Sequence, residues 1–169
     1  MLENCDIENT TVQIGNALKS HGLMLTTAES CTGGMIAGAV TNIAGSSEWF
    51  ERGFITYSNE AKHEMLGVPQ DILTRYGAVS EATVRGMVAG ALHHSHAQMA
   101  LAVSGIAGPA GGTPEKPVGT VWFAWGIKGR QCITRLHTLS GSRAEIRMKS
   151  VCIALQGILE QLNQITEIA

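Results

Sequence analysis

The sequence predicts a single α/β domain of three layers, α/β/α, in which helices cover both faces of a mixed β-sheet. A chain of 169 residues has the usual length of one domain. Apolar residues make up 44% and charged residues 15%, a composition typical of a compact folded protein. Helical and strand patterns alternate first, and a hairpin pattern follows. We therefore predict one domain over residues 1–169.

Helix and strand patterns alternate in the first half of the chain. Apolar residues at helical spacing that end at Gly22 indicate the first helix, and a short run rich in Leu and Thr indicates the first strand. Ser58 or Asn59 is expected to cap the third helix. The predicted elements are a helix over residues 11–21, a strand over 23–28, a helix over 33–40, a strand over 54–57 and a helix over 59–66.

The second half of the chain combines a long loop with a hairpin. Ser80 followed by Glu81 is typical of a helix N-terminus. Lys128-Gly129 between two strand-like runs indicates a hairpin turn. The predicted elements are a helix over residues 80–93, a buried strand over 99–104, a loop over 105–117, strands over 118–126 and 131–139, and a final helix from Ser142 to about residue 162.

Composition argues against several classes of protein. The net charge is −2 and no run of Lys or Arg is present, so we expect no binding to nucleic acid. The four cysteines include no CxxC pair, which excludes a zinc ribbon or a thioredoxin motif. The polar N-terminus from Met1 to Asp6 lacks the apolar part of a signal peptide, and no apolar run reaches ~18 residues. We expect a cytoplasmic protein with reduced thiols and no membrane contact.

The first candidate site is a turn between a strand and a helix, at residues 27–34. Ser30 lies at the start of the predicted helix, where free backbone N–H groups can bind an anion or a developing oxyanion. Thr32, Gly33 and Gly34 would provide these groups, since glycine lets a ligand approach the backbone closely. A plain turn in which Ser or Thr caps the helix is the alternative.

The second candidate lies at a similar edge, in residues 57–62. A serine needs a base before it can attack a carbonyl group, and Lys62 follows the second predicted strand. Ligands of open α/β sheets gather where strands end, so Lys62 could face Ser30. A lysine base must be neutral, which requires burial or a nearby cation to lower its pKa. An exposed helix lysine is the alternative.

A glycine-rich loop and an arginine are candidates for substrate binding. The loop opens with Ser104, Gly105, Ile106 and Ala107, and loops of this length are uncommon in compact domains unless they are functional. Arg143 opens the final helix, where its charge opposes the helix dipole, and an anion such as phosphate facing it would explain that position. A plain connection and an ordinary surface arginine are the alternatives.

Histidines provide a weaker candidate for a metal site. His93, His94 and His96 lie close together at the end of a predicted helix, but no fourth ligand is evident. A solvated helix end is the favoured explanation for them. We therefore expect no metal and no cofactor.

Six motifs together resemble the CinA C-terminal domain family. The similarity runs from about Val12 to about Leu155, and the motifs occur in the family's order. They are TAESCTGG at 27–34, IAGSS at 43–47, GFITYSNEAK at 53–62, GAVSE at 77–81, SGIAGP at 104–109 and EKPVGTV at 115–121.

The resemblance implies an amidohydrolase that converts nicotinamide mononucleotide to nicotinate mononucleotide and ammonia. It implies Ser30 as the nucleophile and Lys62 as its base. On this hypothesis the turn over residues 32–34 binds the oxyanion, and Tyr57 orients Lys62 or relays a proton. Residues 105–107 and Arg143 would then bind the ribose and phosphate.

Three alternatives stay open at this point, and one of them is an amidase that acts on a different nucleotide or amide. Cys31 is a rival nucleophile, because a thiol is intrinsically more reactive than a hydroxyl and lies at the same helix start. A non-catalytic nucleotide-binding protein linked to competence or DNA repair is a different class of function. For partners we expect a small pyridine mononucleotide as substrate and a homo-oligomer such as a dimer, with Trp49 and Phe50 at an interface or at the core edge.

Overall fold

A five-stranded mixed sheet forms the centre of the molecule. The computed structural model describes residues 5–168, with side chains through residue 165. The strands are β1 Leu25–Glu29, β2 Phe50–Ile55, β3 Met99–Gly105, β4 Thr120–Ile127 and β5 Ile133–Thr138. Their spatial order is β2-β1-β3-β4-β5.

The first three strands run in the same direction. β1 is parallel to both β2 and β3, whereas β4 and β5 are antiparallel to their neighbours. Glu29 at the end of β1 pairs with Ile55 of β2 and Val103 of β3, so the three carboxyl ends lie at one edge. The chain leaves β1 toward β2 on one side and returns to β3 on the other, which opens a crevice at that edge.

Helices cover both faces of this sheet. One face is covered by the first, second and last helices, and the other by the three helices between β2 and β3. This arrangement confirms the predicted three-layer α/β/α fold. Within residues 5–168 the helices are α1 Ile7–His21, α2 Met35–Thr41, α3 Asn59–Leu66, α4 Gln70–Tyr76, α5 Glu81–His93 and α6 Arg143–Ile168.

Each face of the sheet has its own apolar core. Because side chains alternate along a strand, Met99, Leu101 and Val103 of β3 pack on the side of α1 and α6. Ala100 and Ala102 pack on the opposite side, where small residues let α5 lie close to the sheet. The two cores hold the ends of β1 and β3 in register at the crevice.

Several predicted elements match the structure because their signals are local. α3 has the predicted bounds, and the Ser58 hydroxyl caps it by accepting a hydrogen bond from the Ala61 N–H at 3.0 Å. Ser80 likewise caps α5 through the N–H of Thr83. α1 begins four residues before the predicted start, because the Asp6 carboxylate caps it at the Asn9 N–H.

Other predicted elements were wrong in extent or were missed. β2 runs over Phe50–Ile55 and not 54–57, because pairing with β1 defines it while its middle residues are exposed and polar. α4 was not predicted, since it has seven residues and buries Leu73 alone among them. α6 continues past the predicted end to Ile168.

Trp49 belongs to the core of this chain. Its side chain is 2% exposed and packs on α1, where a Cβ at Gly15 would lie 2.7 Å from the indole ring. Phe50 is half-buried against the same core. Of the two predicted settings for Trp49, the structure therefore supports the core.

Two further expectations concern the membrane and the N-terminus. In the described part of the chain, no helix combines the length and apolar character needed to cross a bilayer. Residues 1–4, which carry most of the N-terminal segment predicted not to be a signal peptide, lie outside the described residues.

Candidate active site

A cavity of about 240 Å³ opens at the carboxyl ends of the parallel strands. It lies at the crevice where ligands of open α/β sheets bind. Residues from five separate stretches of the chain meet there. The lining residues are Ser30, Cys31, Tyr57, Ala78, Val79, Ser104, Gly105, Ala107 and Arg143.

Ser30 is held at the mouth of this cavity by the sheet itself. It follows β1 directly, and its N–H donates to the Val103 carbonyl of β3 at 3.0 Å. The chain then turns sharply through Gly33 and Gly34, which have positive φ values of 58° and 97°. The side chain of Ser30 is 7% exposed, so its hydroxyl meets the cavity while the backbone stays fixed.

Lys62 reaches Ser30 from the first turn of α3. Its Nζ lies 2.9 Å from Ser30 Oγ, 2.8 Å from the Thr56 carbonyl and 3.2 Å from the Tyr57 carbonyl. The side chain is fully buried, and no carboxylate contacts it among the described residues. Burial lowers the pKa of the Lys62 amine to about 8, since desolvation disfavours the charged form.

The contacts of Lys62 suit a neutral amine that acts as a base. A neutral amine has two N–H bonds and one lone pair. The Thr56 and Tyr57 carbonyls are the nearest acceptors for the two N–H bonds, and the Ser58 carbonyl lies farther away at 3.5 Å. The lone pair can then accept the hydroxyl proton of Ser30, which is the arrangement that nucleophilic attack by a serine requires.

Glu29 organises the turn that follows the serine. Its carboxylate is fully buried and accepts the Thr32 hydroxyl at 2.6 Å. It also accepts three backbone N–H groups, from Gly34, Ile36 and Ala37. The negative charge therefore caps α2, where the helix dipole favours an anion. The sequence analysis did not assign this role to Glu29. The signal that could have indicated it is an acidic residue between a predicted strand and the start of a predicted helix.

Hydrogen bonds within this turn engage two of the N–H groups that were predicted to bind the oxyanion. The Gly34 N–H donates to Glu29, and the Gly33 N–H donates to the Ser30 carbonyl. Both of these N–H groups, which were predicted to face an oxyanion, therefore already donate hydrogen bonds within the turn. In residues 5–168 the N–H groups of Cys31 and Thr32 donate to no other residue, so they are the donors that remain in this turn.

Tyr57 contacts Lys62 through its backbone carbonyl. Its hydroxyl lies 3.2 Å from an Arg143 nitrogen, and the side chain is 62% exposed. Among the described residues, no hydrogen bond joins this hydroxyl to Lys62. The carbonyl thus orients the lysine, and the predicted proton relay through the phenol is not in place.

Arg143 and the glycine-rich loop form the opposite wall. Arg143 is the first residue of α6, and its guanidinium donates to the Gly108 carbonyl at 2.8 Å. Gly105 and Ala107 line the cavity, and the Ser104 hydroxyl donates to the Ala78 carbonyl. The predicted residue Ile106 is not part of this lining; its N–H donates to Thr120 and so holds the loop to β4.

The rival nucleophile Cys31 lacks the setting that activates a thiol. The side chain is 6% exposed, and burial raises the pKa of the thiol to about 11. The thiolate is the reactive form, so a raised pKa leaves the thiol almost wholly protonated at neutral pH. The buried amine of Lys62 lies against Ser30 instead.

The histidine cluster does not extend to a metal site. His93, His94 and His96 are exposed at the end of α5. Across the described residues, no group of three His, Cys, Asp or Glu side chains is arranged to hold a metal ion. The solvated helix end accounts for these residues.

Comparison with known proteins identifies close relatives. The family model of the CinA C-terminal domain matches residues 7–162. The chain is 52% identical over 155 residues to nicotinamide-nucleotide amidohydrolase PncC of Enterobacter agglomerans, covering 92% of this chain and 94% of the relative. It is 50% identical to the protein of that name from Escherichia coli strain K12, covering 98% of this chain and all of the relative.

A solved structure has the same fold. The competence/damage inducible protein CihA from Agrobacterium tumefaciens superposes with a TM-score of 0.89 at 48% sequence identity. The match covers 94% of this chain and 96% of that one.

The raised pKa of Cys31 predicts a slow reaction with alkylating reagents. With a pKa of about 11 against an ordinary 9.0, the thiolate fraction at pH 7.5 is about a hundredfold below that of a free thiol. We expect iodoacetamide to label Cys31 at least that much more slowly than N-acetylcysteine, as followed by peptide mass spectrometry. A rate equal to that of the free thiol would show that the pKa of Cys31 is not raised.

Proposed function

The chain belongs to the CinA C-terminal domain family, and from this premise we propose that it hydrolyses the carboxamide of nicotinamide mononucleotide. The products are nicotinate mononucleotide and ammonia, and the reaction would serve recycling of pyridine nucleotides in the cytoplasm. Two relatives of about 50% identity carry the name of this activity. The observation that carries the proposal is the buried contact of 2.9 Å between Lys62 Nζ and Ser30 Oγ.

The first half of the reaction forms an acyl-enzyme. Neutral Lys62 accepts the hydroxyl proton of Ser30 while Oγ attacks the carboxamide carbon. The C=O π bond breaks, and a tetrahedral intermediate with a negative oxygen results. Lys62 then donates the proton to the amide nitrogen, the C–N bond breaks and ammonia leaves. The ester on Ser30 keeps the nicotinoyl group of the nucleotide.

The second half of the reaction uses water in place of the serine. Lys62, again neutral, accepts a proton from water as the water oxygen attacks the ester carbon. Collapse of this second intermediate returns the proton to Ser30 Oγ and releases the carboxylate product. The unpaired N–H groups of Cys31 and Thr32 are the donors nearest in sequence to Ser30 for the negative oxygen in both halves.

The charges of the substrate fit the walls of the cavity. The pyridinium ring is cationic, and beside Lys62 it would help to keep the amine neutral through like-charge repulsion. The phosphate is anionic, and Arg143 on the opposite wall can bind it. Glu29 occupies the N-terminus of α2, so that helix end is not available to the phosphate.

The non-catalytic alternative predicts binding without turnover. Incubation of purified protein with nicotinamide mononucleotide, followed by an assay of free ammonia, separates the two functions. Ammonia release in amounts far above the protein concentration supports the amidohydrolase. Saturable binding of the nucleotide with no ammonia would support a nucleotide-binding protein.

Removal of either member of the Ser30 and Lys62 pair should abolish ammonia release. Ser30→Ala lacks the attacking oxygen and Lys62→Ala lacks the base, so we expect a loss of about 10³-fold or more in kcat for each. Initial rates of ammonia formation measure the effect, with circular dichroism to show that each variant is folded.

Ser20→Ala and Lys19→Ala provide matched controls. Both side chains are solvent-exposed on α1, away from the cavity, and both variants should keep normal rates. Turnover near normal in Ser30→Ala or Lys62→Ala would exclude this mechanism.

The pKa of Lys62 predicts how activity depends on pH. The base is active when neutral, so kcat/KM should rise tenfold per pH unit below a pKa of about 8 and level off above it. At pH 7 the rate should be about a tenth of the plateau. Rates measured between pH 6.5 and 9.5 check this, and a flat profile over that range would show that Lys62 is not the titrating base.

Substitution of Arg143 should weaken the binding of substrates that carry phosphate. In Arg143→Gln we expect KM for nicotinamide mononucleotide to rise about tenfold or more, while kcat changes little, because a charge-assisted contact to the phosphate is lost. Kinetics with the phosphate-free riboside give the comparison. Lys149→Gln removes the same charge from the same helix and should leave KM unchanged. An equal loss with the riboside would contradict a phosphate contact at Arg143.

A further inference from the structure

Arg147 is a second arginine of α6 that reaches the catalytic edge, but it does so from behind the serine. It lies one helical turn after Arg143 and is half-buried. Its Nε donates to the Cys31 carbonyl at 3.0 Å, and its Nη2 donates to the Thr32 carbonyl at 3.1 Å. One guanidinium therefore spans two successive carbonyls of the turn that follows Ser30.

Each of these two carbonyls belongs to the same peptide group as an N–H of the turn, so fixing the carbonyl also fixes the direction of that N–H. The Cys31 carbonyl shares a peptide plane with the Thr32 N–H, which is one of the two unpaired donors beside Ser30. The positively charged guanidinium beside the carbonyl oxygen polarises this peptide group, which makes its N–H a stronger hydrogen-bond donor. The Thr32 carbonyl shares its plane with the Gly33 N–H, which closes the turn onto the Ser30 carbonyl.

We propose that Arg147 is a positioning residue for the nucleophile: its guanidinium fixes and polarises the peptide planes after Ser30, which keeps Oγ at Lys62 and keeps the Thr32 N–H available to the oxyanion. This inference rests on the proposed function for its kinetic test. Glu29 complements it from the other side, since Glu29 binds N–H groups of the same turn while Arg147 binds carbonyls.

The fork geometry of arginine is what this role needs. A guanidinium presents several N–H donors in one rigid plane, so it can hold two neighbouring carbonyls at once. A lysine keeps the charge but is a flexible point donor that does not fix both planes. Arg147→Lys therefore removes the geometry and retains the charge.

The first test measures how Arg147→Lys changes kcat and KM for nicotinamide mononucleotide. We expect kcat to fall about 10- to 100-fold, because small misplacement of a nucleophile has an effect of that size. KM should stay within about threefold, since Arg147 is not among the residues that line the cavity. The pH profile should keep its apparent pKa near 8, because the base is unchanged.

Arg85→Lys is the matched control. Arg85 also ties a helix to a backbone carbonyl, that of Cys132, but it does so away from the cavity. Its kinetic constants should stay within about twofold of those of the parent protein. Equal losses of kcat in both variants would show a general structural effect and would overturn the proposal, as would an unchanged kcat in Arg147→Lys.

Two other outcomes would assign Arg147 a different role. A large rise in KM with normal kcat would place it in substrate binding. A displaced pKa in the pH profile would show that it acts on Lys62 through its charge. Either result contradicts positioning of the turn.

A second measurement does not depend on the nucleotide. A fluorophosphonate reacts covalently with an activated serine, so the rate at which it labels Ser30 reports the nucleophile and its oxyanion donors alone. We expect slower labelling in Arg147→Lys by about tenfold or more, and a normal rate in Arg85→Lys. If the parent protein is labelled but does not release ammonia from the nucleotide, the proposed substrate is wrong while the role of Arg147 is still tested. Equal labelling of Arg147→Lys and the parent would overturn that role.

Discussion

The contact between the buried Lys62 amine and the Ser30 hydroxyl is the constraint on which the site depends. If the Lys62 amine were protonated here, the ammonium ion would lose its hydration. None of the described residues that contact it has a carboxylate to compensate for that loss. Burial therefore shifts the pKa toward the neutral amine, which is the form a base requires. The two carbonyls after β2 satisfy the N–H groups of that amine, so the lone pair is left for the serine.

The parallel part of the sheet is what brings the two side chains together. Ser30 follows β1, the carbonyls of residues 56 and 57 follow β2, and Gly105 ends β3. Parallel neighbours place these ends at one edge, which an antiparallel arrangement would separate. The antiparallel strands β4 and β5 extend the core without adding a residue to the pair of Ser30 and Lys62, although β4 anchors the glycine-rich loop at Ile106.

Opposite charges hold the turn after Ser30 from its two sides. The Glu29 carboxylate binds N–H groups at the start of α2, and the Arg147 guanidinium binds carbonyls of the same turn. The N-terminus of α2 is thereby already occupied by an anion of the protein itself. On the proposed function the phosphate would then bind elsewhere, and among the described residues Arg143 at the start of α6 is the cationic side chain that lines the cavity. The one helix α6 thus contributes Arg143 to the lining of the cavity and Arg147 to the carbonyls of the turn.

The sequence by itself determined the features that depend on neighbouring residues: the order of helices and strands, the caps at Ser58 and Ser80, and the turn at Ser30. Hydrophobic spacing, capping side chains and glycines are local signals. The bounds of β2, the 2.9 Å approach of Lys62, and the engagement of Gly33 and Gly34 were decided by the tertiary structure. Those features depend on which distant segments pair in the sheet, and on competition among hydrogen-bond partners that are close only after folding. For the same reason Arg147, more than a hundred residues from the turn it holds, had no signal in the sequence around Ser30.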